Sequence, residues 1–195
     1  MAKLLDKIGQ DFSKTGLEAR TQKARRWLGK NIKDLSITPR SITANDKIRS
    51  LTGVKHILPG RMYFYYYDPK LKDTLPFYDK FPLTIPIEQY NDGFLGLNLH
   101  YLPVKYRLIL LDKLYDLMVT NDDPKKNAAI SYNILSGAAR YKEFKPCLKR
   151  YLFSHISSKV INVEHDSWDT AVFLPVEQFA KKSAEYVQRL SVKSF

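Results

Sequence analysis

"RMYFYYYDPKLKDTLPFYDKFPLTIPI", residues 61–87, runs Tyr63, Phe64, Tyr65, Tyr66 and Tyr67 together, then a charged turn, then further aromatics broken by prolines. Aromatic enrichment closed by Asp68-Pro69 predicts a strand. On a strand Tyr63, Tyr65 and Tyr67 share one face, and Phe64 and Tyr66 the other. Such a run can be a base-stacking platform, worth ~1–3 kcal/mol per base, the wall of a ligand pocket, or the core of a small sheet. Both faces are aromatic, only one can be outermost, and no Arg or Lys interrupts the run. Sheet packing is therefore the expectation: Tyr63, Tyr65, Phe81 and Leu97 buried, with tyrosine hydroxyls at the margin.

Working outward, "PLTIPIEQY" is a second candidate strand that Pro82 and Pro86 should confine to an edge or a sheet end. "YNDGFLGLNLHYLP" offers a turn at Asn91-Asp92-Gly93 and an alternating strand after it. Pro103 should open a helix, "VKYRLILLDKLYDLMV", and "NDDPKKN" a loop. "AAISYNILSGAARY" and "KPCLKRYLFSHI" read as weaker helices, "SKVINVE" as a short strand, and "VEQFAKKSAEYVQRL" as a last amphipathic helix. The order argues for an α+β fold: a small bent sheet or partial barrel with a helical insertion and a C-terminal helix.

The N-terminal third differs. Residues 1–61 carry 14 Lys/Arg against 5 Asp/Glu, within a 195-residue chain of formal net charge +12. "TGLEARTQKARRWLGKNIKDLS", residues 15–36, reads as one amphipathic helix, with "KLLDKIGQDF" a short helix before it. At 100° per residue Leu17, Ala24, Leu28, Ile32 and Leu35 form one face, and Arg20, Lys23, Arg26, Lys30 and Lys33 another, with Arg25 and Trp27 nearby. The polar, proline-marked segment after it reads as a linker or extended arm. Residues 1–59 thus read as a basic helical arm and linker, and 60–195 as an α+β globular domain. A cationic stripe of this kind is expected to track a phosphate backbone in duplex DNA, without sequence preference, the rivals being a solvated helix face and an acidic protein surface.

Enzymatic signals are weak. Asp68, Asp73, Asp79, Glu88 and Asp92 lie within 25 positions, the raw material of a metal-dependent nuclease, yet turn chemistry accounts for most of them. His56, His100, His155 and His165 have no metal-ligand spacing, and no phosphate loop is present. Lone Cys147 sits among basic residues and is expected to be buried and inert. No cofactor, metal site or membrane span is expected, and a start without an apolar stretch suits a soluble protein made in a reducing cytoplasm.

The block "YDPKLKDTLPFYDKFPLTIPI…GFLGLNLHYLP…RLILLDKLYD", with "YKEFKPCLKRYL" and "WDTAVFLPVEQF", resembles a family of small virion-associated proteins of T-even-like myoviruses, that of the DNA end protector. The resemblance runs from about Lys23 to Phe179. It implies a non-enzymatic protein of the virion, present in the host cytoplasm during assembly, with other virion proteins and double-stranded DNA as partners, within an oligomeric assembly. It supplies no catalytic motif, and a neck, tail or baseplate role remains the alternative to DNA-end binding.

Overall fold

A computed structural model describes residues 4–33, 35–43, 57–118 and 142–193. Three helices come first: α1 (Leu4–Ser13), α2 (Gln22–Lys33) and the short α3 (Pro39–Thr43). Then follow β1 (Met62–Phe64), β2 (Tyr78–Asp79), β3 (Leu83–Tyr90), β4 (Gly93–Asn98) and α4 (Val104–Met118). The rest comprises β5 (Leu148–Leu152), β6 (Ile161–Val163), α5 (Trp168–Phe173), β7 (Phe179–Ala180) and α6 (Ala184–Lys193). Five antiparallel strands form an open sheet in the order β5-β4-β3-β1-β6, and β2 and β7 pair as a separate ribbon. The α+β class holds, and the sheet does not close into a barrel.

The alternation in β1 divides the interior in two. Met62 and Phe64 join Leu83, Ile85, Leu97, Ile161 and Val163 on the face packed with Ile8, Leu28, Ile32, Leu111 and Trp168. Tyr63, with Tyr65 and Tyr67 just beyond the end of β1, joins Ile57, Phe94, Tyr151 and Val160 in a second cluster. Tyr63, Tyr65, Phe81 and Leu97 are all fully buried, as expected. Some hydroxyls reach backbone donors, Tyr63 from Leu58 N at 3.0 Å and Tyr67 from Leu152 N at 3.2 Å. That of Tyr65 lies deep inside instead of at the margin, and burial pushes its pKa well up. These three rings are no stacking platform.

Four local expectations are corrected. β3 is an inner strand, between β4 and β1, not an edge. Its proline is tolerated because β1 pairs only as far as Thr84, the register shifts between Pro86 and Glu88, and the Pro86 carbonyl accepts from Gly60 N at 2.9 Å. The middle of "KPCLKRYLFSHI" is strand β5 (Leu148–Leu152), held along β4 from Leu97↔Leu148 to Gly93↔Leu152, with 3-10 turns on both sides. Gly93 is required there, since a Cβ would stand 1.9 Å from the Tyr151 carbonyl oxygen. The last helix begins only at Ala184, after β7 and a left-handed Lys181 (φ 66°), with Ser183 Oγ accepting from Tyr186 N at 3.3 Å.

The fourth correction is the long N-terminal helix, which breaks in two. Thr15 Oγ1 donates to the Phe12 carbonyl at 2.6 Å, and Gly16 (φ 65°) and Arg20 (φ 67°) turn the chain left-handed. Thr21 then restarts it as α2, accepting from Ala24 N at 3.2 Å. Leu17 consequently lies before α2, and Leu35 is 40% exposed beyond it, while Ala24, Leu28 and Ile32 are buried. "AAISYNILSGAARY", "NDDPKKN" and most of the linker lie outside the described residues.

Candidate nucleic-acid interface

α2 is fixed from below and from one side. Ala24, Leu28 and Ile32 enter the core, and Gly29 lies so close to α5 that a Cβ would stand 3.3 Å from the Phe173 ring. Phe12 and Trp27 pack α1 against α2 with ring centroids 5.6 Å apart. Arg25 turns inward: Nη1 donates to Asp112 Oδ2 at 2.9 Å, and Nη2 lies 3.6 Å from Asp169 Oδ1. The Asp112 hydrogen bond, supported by Asp169 against the cost of burial, holds the Arg25 pKa above its ordinary value. Arg25 thus clamps α2 to α4 and α5.

Lys23, Arg26, Lys30 and Lys33 are exposed on the remaining side of α2. Their spacing places them within about 80° of the helix circumference and along about 15 Å of its axis. None pairs with a carboxylate among the described residues. Arg20 is separate from this row: its guanidinium carbon stands 3.7 Å from the centroid of the Tyr115 ring. Of the six cations singled out in the sequence, four form the open row, Arg20 stands beyond its N-terminal end and Arg25 faces inward.

Beside Arg20 a cleft of about 790 Å³ opens between α1, residues 19–20, Tyr115 and the 165–169 turn. Its inner wall holds His165 and Asp169. Burial, helped by Arg20, depresses the His165 pKa. Burial raises that of Asp169 against the pull of Arg25 and Arg20. His165 Nε2, Asp169 Oδ1 and the neighbouring Arg25 Nε are buried without a hydrogen-bond partner. Sequence reasoning missed this cleft, because its walls come from residues over 140 positions apart and carry no local motif.

The candidate nuclease carboxylates are dispersed. Asp68 pairs with Lys72 at 3.0 Å, Asp92 pairs with Arg150, and Glu88 accepts from Tyr90 Oη at 2.7 Å. Asp79 is buried on the Nδ1 of His100 at 2.8 Å, with Asn98 Nδ2 at 3.1 Å and Phe81 N at 3.0 Å. Burial would raise its pKa, but His100, Asn98 and that amide prevail and hold it below the usual carboxylate value. No group of three or more His, Cys, Asp or Glu that could hold a metal ion occurs among the described residues. Among them, too, no helix is long and apolar enough to cross a membrane.

Cys147 is fully buried, and burial pushes its thiol up to about 12. A thiol reagent is therefore expected to label it promptly in denaturant and hardly at all in native protein over the same minutes. Rapid native labelling, followed by mass spectrometry, would show that the site opens.

Comparison with known proteins finds no match among curated proteins and none among solved structures. A family match does extend over residues 7–193, from within α1 through α6, and so takes in the α2 row, the sheet and all of the cleft lining except Leu5 and Asp6. On that span the chain belongs to the family described as the phage T4 terminal DNA protecting protein.

Proposed function

We propose that this is a non-enzymatic virion protein that binds the ends of duplex DNA through the exposed face of α2, Lys23, Arg26, Lys30 and Lys33, with little sequence preference. The observation that carries the reading is the division of labour on one helix. Its apolar side and Arg25 are occupied in holding it, while four cations stay open to solvent. Membership of a DNA-end-protecting family supplies the partner class. Four neutralised phosphates supply affinity through counterion release and no base readout.

The test is salt titration of binding to a short duplex. Four contacts predict a log–log slope near roughly −3.6, or about a 150-fold loss of affinity between 50 and 200 mM salt. Replacing all four cations with glutamine should flatten most of that slope and leave the fold intact, since none of them is buried. An unchanged slope in the folded variant would remove α2 from DNA binding. It would shift the row to an acidic partner surface in the neck, tail or baseplate.

A further inference from the structure

A row of cations binds a duplex anywhere along its length, so preference for an end needs a second device. The cleft beside Arg20 has the features of one. Arg20 is an exposed non-glycine residue with φ 67°, a conformation that costs energy and persists where the surroundings impose it. Its guanidinium stands over Tyr115, and both residues line the cleft. Guanidinium planes of this kind stack on nucleobases. The cleft wall also carries His165 and Asp169, the latter only 8% exposed and with Oδ1 3.6 Å from Arg25 Nη2.

We propose that this cleft receives the terminal nucleoside of a DNA end, its base stacked on Arg20 and its polar edge turned toward Asp169 and His165. The inference rests on the DNA-binding reading above and names the part of the nucleic acid that enters. Asp6, Asp166 and Asp169 line the cleft against Lys14 and Arg20, so it carries no excess of positive charge to draw in a phosphate, and the backbone is assigned to the α2 row outside. A volume of about 790 Å³ is that of a small-ligand site and is too small for a double helix. An internal base would have to unpair and unstack at a cost of a few kcal/mol, whereas a terminal base does so most readily. The selectivity for ends follows from that difference.

The experiment uses the full chain and two forms of one DNA, a covalently closed duplex minicircle and the same circle cut once. Gly9 lines the cleft, and a Cβ there meets nothing within 4 Å, so Gly9→Phe should fill the cleft without disturbing α1. Wild type is expected to prefer the cut form by about 5- to 150-fold, equivalent to the ~1–3 kcal/mol of one stacked base. Gly9→Phe should abolish that preference and leave circle binding and its salt slope unchanged. Arg20→Gly, which relieves the left-handed strain, should also lose the preference, read as the ratio of the two affinities. Wild type that binds both forms equally, or a folded Gly9→Phe protein that keeps the full preference, would overturn the cleft and spare the α2 row. Failure of wild type to bind either DNA would overturn the DNA-binding reading itself, and this inference with it.

Discussion

Replacing Arg107 with methionine is expected to destabilise the protein by about 3–5 kcal/mol at neutral pH. The Arg107 side chain is fully buried, pairs with Glu177, and donates from Nε to the Leu102 carbonyl at 2.8 Å and from Nη1 to the Val172 carbonyl at 2.9 Å. Methionine fills similar space but strands a carboxylate and two carbonyls. Burial works to raise the Glu177 pKa, and the nearby charges of Arg107 and then His100 overcome it, holding it below its ordinary 4.5. A depressed folded pKa contributes stability above the unfolded value and loses it as pH falls through the folded one. In the variant burial meets less opposition, so the folded state takes up the Glu177 proton more readily. Urea denaturation curves of the two proteins should therefore draw together as pH falls below about 5. A penalty equal at pH 7 and pH 4.5 would mean that packing alone was lost, and replacing Glu177 by methionine as well should recover much of the deficit.

A chain beginning at Gly60 is expected not to fold at all. Ile8, Ala24, Leu28, Ile32, Ile37 and Ile42 are all buried, and all but Ala24 belong to the same cluster as the sheet residues Met62 and Leu83. Truncating a single buried Leu or Ile costs about 2–5 kcal/mol, against a total stability of about 5–15 kcal/mol. Removing Arg25 as well leaves Asp169 buried without its cation. Circular dichroism and dye binding should report a collapsed or aggregated chain with no cooperative melt. A sharp unfolding transition in that shortened protein would show that the first 59 residues are dispensable for folding. Point substitution of Lys23, Arg26, Lys30 and Lys33 is consequently the sound way to separate DNA contact from folding.

The start of the central aromatic strand was legible because a period of two is local and its two faces are both apolar, although β1 ends at Phe64 and Tyr67 keeps only an isolated bridge to Ile156. The α2 face was legible for the same reason, at a period near 3.6. Pro86 misled because its cost depends on where the neighbouring strand stops, which no local pattern records. Residues 15–21 misled because helical periodicity continues formally across Thr15-Gly16, while hydroxyl and backbone geometry interrupt it. Segment 148–152 alternates too briefly to be told from a helix turn without β4 beside it. The buried Arg107–Glu177 and Asp79–His100 pairs were invisible, since charged residues signal burial only once their partners are known. The cleft was hidden for the same reason: Gly9, Arg20, Tyr115 and Asp169 meet only in three dimensions.

The strand order also sets a timetable for synthesis. β1 emerges early, yet its outer neighbour β6 is translated nearly 100 residues later, and β4 waits some 50 residues for β5. Until then the ribosome-bound chain carries two unsatisfied strand borders beside a run of four tyrosines, the kind of surface that associates with other nascent chains. Pairings so distant in sequence also close slowly, because long loops must form before they gain any contact. Chains released early, before about residue 165, should therefore partition into aggregates, and the complete chain should show a slow final folding phase once β6 is free to dock.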